Sequence, residues 1–259
     1  MKVIVITGAS DGIGAELARQ LAGPGVALVL AARSVDKLEA VARQCKGAET
    51  LVVRCDVGVE ADCRALVEQA VARFGGIDVL VNNAGVSGHA RFEEVKDFSW
   101  YEAMMRVNHF GSVWCSRYAL PHLRARRGLI VGVSSLAGKH GIPQRTAYSP
   151  SKFAQAGFFE ALRTELLGSG VDVTVVFPGV VATDIRLHGY GPDGKPAGRS
   201  GLDERNAMPV AECARQIVEA MRTRQRERVM TTRGKLGLWL KLLAPRLVDR
   251  MTLRALKKE

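Results

Sequence analysis

A chain of 259 residues with 47% hydrophobic side chains and 27 glycines can bury a substantial core within one large α/β domain. That composition excludes a disordered or fibrous protein. The net charge is +11, but residues 222–259 hold twelve Lys/Arg against three Asp/Glu, a net of +9 that leaves +2 on the first 221 residues; basicity confined to a tail argues against a nucleic-acid groove across the fold.

The five cysteines (Cys45, Cys55, Cys63, Cys115, Cys213) form no CxxC, and the five histidines show no paired spacing. This predicts a reducing compartment, thiols used as small core residues, and no metal site. Met1 leads straight into Lys-Val-Ile-Val-Ile-Thr without a signal-peptide pattern, and no run reaches about 18 uninterrupted apolar residues. The expected location is cytoplasmic, with at most peripheral membrane contact.

The first predicted strand, residues 3–6, runs into Thr7-Gly8-Ala9-Ser10-Asp11-Gly12-Ile13-Gly14 and a helix over 12–22. Glycines permit a tight turn and a close phosphate, and the helix start offers free amides and a positive dipole end. Taken alone, the motif leaves a plain strand–helix turn open. The second strand, 27–30, ends in Ala31-Ala32-Arg33-Ser34. A carboxylate at this strand end would accept from both ribose hydroxyls and favour NAD. Ala32 stands there instead, and the Arg33 guanidinium matches a 2′-phosphate. NADP(H) is therefore expected over NAD(H), with Asp11 adding a small opposing charge.

Helices are predicted at 35–45, 60–73, 97–126 and 147–168, and strands at 51–53, 79–81, 129–133 and 171–177. The alternation implies a single Rossmann-type, doubly wound parallel sheet with helices on both faces over residues 1–232. A basic amphipathic extension follows at 233–259. In the last helix of this series, Tyr148 and Lys152 are four residues apart and share a face, and Ser135 lies thirteen residues before the tyrosine. A free tyrosine has a pKa near ~10, so ionising it at pH 7 costs roughly 4 kcal/mol. A fixed cation nearby lowers that cost and suits the phenol to acid–base work.

These motifs stand in the order found in short-chain dehydrogenases/reductases, and the chain resembles the commonest, roughly 250-residue type. Thr7-Gly8-x3-Gly12-x-Gly14 matches the family's cofactor turn, and Asp56-Val57 its adenine-contacting pair. Asn82-Asn83-Ala84-Gly85 matches the signature closing the fourth strand. Asn108, Ser135, Tyr148 and Lys152 match the catalytic tetrad, and Pro178-Gly179-x-Val181-x-Thr183 the segment contacting the nicotinamide carboxamide. The resemblance implies cofactor contacts from Gly8, Ser10, Asp11, Gly12, Ile13, Gly14, Arg33, Ser34, Asp56, Val57, Asn83, Ala84, Gly85, Pro178, Gly179, Val181 and Thr183, with Tyr148 and Lys152 also touching the cofactor. It further implies that Tyr148 exchanges a proton with the substrate oxygen and that Ser135 holds that oxygen. Lys152 would lower the phenol pKa and hold the nicotinamide ribose, and Asn108 would hold a water linking Lys152 to solvent. Ser134 competes with Ser135, but the thirteen-residue spacing favours Ser135. Within the family, Val133–Lys139, Ala147–Phe153 and Phe158–Arg163 resemble the branch containing 11β-hydroxysteroid dehydrogenase type 1 and related microsomal reductases. The membrane anchor of those enzymes has no counterpart before the first strand, so a cytosolic bacterial relative is expected.

Residues 187–200 are rich in Gly and Pro without periodicity, and composition leaves a bland loop and a substrate lid equally open. The substrate pocket is expected from loop 184–208 and the tail. In residues 235–256, Leu236, Leu240 and Leu243 share a helical face, as do Leu247, Val248 and Met251, and Pro245 divides two short helices. Such a tail packs on a sister subunit, covers the site, or lies on a membrane surface. Family members commonly form dimers or tetramers, so a homodimer or homotetramer is implied. The resulting expectation is an NADP(H)-dependent carbonyl reductase or alcohol dehydrogenase with a small apolar substrate. The runner-up is a 3-oxoacyl thioester reductase whose basic surface receives an acidic carrier. A non-catalytic NADP-sensing protein is the alternative from another class.

Overall fold

The computed structural model describes residues 1–198 and 207–256. Seven parallel strands, β1 (Lys2–Thr7), β2 (Val26–Ala32), β3 (Glu49–Arg54), β4 (Val79–Asn82), β5 (Leu129–Val133), β6 (Asp172–Phe177) and β7 (Glu227–Val229), form one sheet in the order β3-β2-β1-β4-β5-β6-β7. Successive side chains of a strand point to opposite faces, and β1 shows the consequence. Val3 and Val5 enter one core layer with α3 (Glu60–Phe74), α5 (Gly111–Arg126) and α6 (Tyr148–Glu165). Ile4 and Ile6 enter the other, with α1 (Gly12–Leu21), α2 (Val35–Gln44) and α7 (Val210–Arg222). Burial on both faces is why these strands read as unbroken Val/Ile/Leu runs. Strand order reverses between β1 and β4, and a crevice opens beyond their carboxyl ends, where ligands bind in such sheets.

The predicted helix over 97–126 is three pieces. The chain forms α4 (Ser99–Met105), then a π-turn at Arg106–Phe110, then α5. A π-turn inserts an extra residue, and such insertions are frequent at functional sites; this one carries Asn108. Two elements escaped the sequence reading. β7 is three half-buried residues, Glu-Arg-Val, with no apolar run to reveal it. α7 buries Cys213, Ala214, Ile217, Ala220 and Met221 along one face, a period that the neighbouring 184–208 loop assignment obscured. All five cysteines are buried and free.

Loop 184–208 is packed where it is described; residues 199–206 lie outside the described residues. Tyr190 stacks on Trp100 with ring centroids 5.7 Å apart, and its backbone exchanges hydrogen bonds with Ser87 and His89 at 2.9 and 2.8 Å. Pro245 does divide the tail, into α8 (Thr232–Leu243) and α9 (Pro245–Leu256), and stands as the first residue of the second helix, where its missing N–H costs nothing.

Candidate active site

The glycine turn between β1 and α1 sits at the crevice. Asp11 caps α1, accepting from the Gly12 amide at 2.7 Å, and Gly12 and Ile13 at the helix start line the cleft. Gly14 is required by proximity: a Cβ there would collide with the Gly8 carbonyl and the Asn83 amide. The end of β4 is tied to this turn. Thr7 Oγ1 accepts from the amides of Asn83 and Ala84 at 3.1 Å, and Asn83 Nδ2 donates to the carbonyls of Thr7 and Gly8 at 2.9 and 3.2 Å. At the end of β2, Arg33 and Ser34 line the cleft together with Lys37 from α2. Lys37 pairs with Asp11 at 3.5 Å, which offsets the negative charge that Asp11 brings to this corner. Two cations thus stand where the sequence pointed to one.

The other end of the cleft is set by α6. Gly132 of β5 has no side chain, and the Phe159 ring of α6 occupies the space its Cβ would need. This seats α6 flat on the sheet and fixes Tyr148, its first residue, and Lys152 one turn later. Pro150 falls within the first turn, where the helix tolerates it. Ser134 and Ser135 follow β5. Ser134 Oγ is buried and donates to the Lys152 carbonyl at 3.1 Å, so it is spent on packing. Ser135 lines the same cleft as Tyr148, close enough to act on its phenol. The spacing argument therefore chose the serine that meets the tyrosine.

Every predicted site residue lines this one cleft of about 400 Å³ except Gly14 and Asn108. Gly14 lies beneath the turn. Asn108 is fully buried behind the site, with its amide committed: Oδ1 accepts from Val86 N at 2.8 Å, and Nδ2 donates to Val86 O and Ser151 Oγ at 3.0 and 2.9 Å. Its link to Lys152 runs through side chains that the sequence did not flag. Lys152 Nζ donates to Val133 O at 3.0 Å and to Gln155 Oε1 at 3.2 Å. Gln155 Nε2 donates to Ser112 Oγ at 2.9 Å, and Ser112 Oγ to the Asn108 carbonyl at 3.4 Å. Gln155 is wholly buried, on a helix whose other buried residues are Ser149, Ser151, Lys152 and Phe159; a glutamine one turn beyond the lysine is its trace in the sequence.

Burial raises the Tyr148 pKa, while the Ser135 hydrogen bond and then the charges of Arg145 and Arg186 act to lower it. Burial alone brings Lys152 down to about 7. Arg145 and Arg186 are thus two cations that act on the phenol and that the sequence did not flag. Both are buried: Arg145 donates to Ser87 Oγ at 2.8 Å and to Gly88 O at 3.1 Å, with its guanidinium 5.9 Å from the Tyr148 ring, and Arg186 donates to Val181 O at 2.8 Å. Neither lies in a periodic segment, so neither was legible beforehand. Among the described residues no cluster could hold a metal ion.

The comparisons with known proteins agree with this geometry. Residues 2–188 match the family model of the short chain dehydrogenases. The chain belongs to that family. Among curated relatives, it is 36% identical over 259 residues to a "Dehydrogenase/reductase SDR family protein 7-like" protein of Dictyostelium discoideum, covering 97% of this chain and 80% of that one. It is 36% identical to "11-beta-hydroxysteroid dehydrogenase A" of Sesamum indicum, covering 96% and 73%. Among solved structures, a short-chain dehydrogenase from Streptomyces avermitilis superposes with a TM-score of 0.81 at 28% identity, covering 95% and 94%. An alcohol dehydrogenase from Thermococcus sibiricus, solved with 5-hydroxy-NADP, gives 0.75 at 30% identity, covering 89% and 95%. Membership makes this chain an oxidoreductase served by a nicotinamide cofactor. The glycine turn and the helix start at Gly12 and Ile13, which line the cleft, fit the cofactor's pyrophosphate.

Proposed function

We propose that this short-chain dehydrogenase interconverts a ketone or aldehyde and an alcohol on an apolar substrate, using NADP(H), with Tyr148 as general acid and base. The observation that carries the reading is the meeting of Tyr148 and Ser135 in one cleft with the glycine turn. Gly8, Gly12 and the first amides of α1 would hold the pyrophosphate, and Pro178, Gly179 and Thr183 line the nicotinamide end. When bound, the nicotinamide supplies or accepts the hydride. Tyr148 gives its phenolic proton to the substrate oxygen in reduction and takes one back in oxidation. Ser135 donates to the same oxygen and steadies the negative charge that develops on it. Lys152, whose pKa burial brings to about 7, can take up or release a proton near neutrality while Val133 O and Gln155 Oε1 hold its amine in place.

The preference for NADP(H) rests on Arg33 and Lys37 beside Ala32, with no carboxylate at the end of β2. The relative solved with an NADP analogue is consistent with it. An apolar substrate is supported by Val86, Val181 and Ile185 along the wall. The relatives named for 11β-hydroxysteroids point to a polycyclic skeleton as the substrate class.

The reading is tested by following reduced-nicotinamide absorbance with ketosteroids, aromatic ketones, retinal-like aldehydes and 3-oxoacyl thioesters, with NADPH and NADH in parallel. Turnover of a ketosteroid or aromatic ketone with NADPH preferred is expected. Turnover confined to the thioesters would replace this reading with carrier-linked reduction, and NADPH binding without turnover of any class would favour a cofactor sensor. Arg33→Asp is predicted to lower the NADPH-to-NADH ratio of kcat/KM by at least about tenfold, the scale of one charge-assisted contact; an unchanged ratio assigns 2′-phosphate recognition elsewhere.

A further inference from the structure

The two C-terminal helices have an anchored face and an unpartnered one. On the anchored face, Gly234 packs against Leu136, and Lys241 Nζ donates to the Lys139 carbonyl at 3.0 Å beside the Phe153 ring. Val248 is buried, and Thr252 Oγ1 meets His140 Nε2 at 3.1 Å. On the outer face, Leu236, Trp239, Leu242 and Leu243 of α8 and Leu247 and Met251 of α9 are between 47% and 84% exposed. Beside Leu247 and Met251, Arg246, Arg250 and Arg254 recur every four residues along one side of α9. Scattered exposed leucines need no explanation, but six large apolar side chains on one two-helix surface do.

We propose that this outer face seats on the surface of an anionic phospholipid bilayer. Trp239 and the leucines would enter the headgroup–acyl boundary while Arg246, Arg250 and Arg254 meet lipid phosphates. Three observations select this occupant. The helices have 12 residues each, about 18 Å of helix against a hydrocarbon core of about 30 Å, so they are too short to span. Among the described residues no helix is long and apolar enough to cross a membrane. Residues 232–256 carry six Lys/Arg and one acid, Asp249. An anionic lipid surface is complementary to this excess of cations beside an apolar face. The start of α8 lies beside the cleft: Thr231, which caps it, packs against Gly179 of the cleft wall. If the reductase reading holds, an apolar substrate would reach the site from the bilayer. The docking itself does not depend on that reading.

The test is co-flotation of the full chain with phosphatidylglycerol–phosphatidylcholine vesicles and with pure phosphatidylcholine vesicles, at low and high salt. The wild type should float with the anionic vesicles, more weakly at high salt and hardly at all with pure phosphatidylcholine. Arg246→Glu with Arg250→Glu, and separately Trp239→Ser with Leu243→Ser, should each lower the apparent affinity by at least about tenfold. All four positions are surface positions, and unchanged thermal unfolding verifies that the variants fold. The proposal is overturned if the wild type stays unbound to anionic vesicles, or if neither pair of substitutions weakens binding. It also falls if, without vesicle binding, the face proves to mediate a dimer that Trp239→Ser with Leu243→Ser dissolves in sedimentation, or to capture an acidic carrier protein.

Discussion

Lys152 is a buried amine held by a backbone carbonyl and by Gln155, and burial brings its pKa down to about 7. Gln155→Leu removes one acceptor and is predicted to move the Lys152 limb of the kcat–pH profile to lower pH, with little change in cofactor affinity. Gln155→Glu places a carboxylate beside the ammonium and should move the same limb upward. A purely structural glutamine would lower activity at every pH without moving the limb in opposite directions. The nucleus of the site was legible because Ser135, Tyr148 and Lys152 carry a spacing that chemistry explains. Ser112, Arg186 and Lys37 were not, because each comes to the site from an element distant in sequence, and Gln155 and Arg145 were not, because nothing in their local pattern shows that they turn inward beside Lys152 and Tyr148.

At the scale of elements, the site depends on how closely α6 lies on β5. Gly132→Ala drives a methyl group into the Phe159 ring, so it is predicted to cost about 1–3 kcal/mol in chemical denaturation, as overpacking does. It should also lower kcat by displacing Tyr148 and Lys152. Adding Phe159→Leu should restore part of both losses, and a double variant no better than the single one would refute the contact as the cause. Six of the seven strands were readable as apolar runs because both faces of the sheet are covered. β7 was not, since an edge strand of three half-buried residues has no period to detect. The break of the 97–126 helix at its π-turn was equally hidden: the turn keeps helical dihedrals, and Asn108 is turned inward by one inserted residue that no propensity marks.

For the whole molecule, Lys152 couples stability to pH. Its folded pKa of about 7 lies below the unfolded value of ~10.4. Between those limits the unfolded chain binds a proton that the folded chain does not, so this group makes stability rise with pH across that window. The thiols oppose it. Burial raises Cys45 and carries Cys213 to about 12, and thiol hydrogen bonding followed by burial raises Cys55. Stability from these groups is present below the unfolded thiol value of ~8.5 and is lost as pH rises. Comparing the wild type with Lys152→Met cancels the cysteines. The variant is predicted to be the more stable by a few kcal/mol at pH 7, with the gap closing toward pH ~10; a gap independent of pH would show that the buried amine is not the cause. The most direct test of the account is reduction of a ketone substrate by wild type and Tyr148→Phe, each saturated with NADPH. The account predicts that the variant binds NADPH as the wild type does and turns over about 10²–10⁴ times more slowly, since only the phenolic proton is gone. Turnover within a few-fold of wild type would contradict Tyr148 as the proton donor, and with it the proposed chemistry of the cleft.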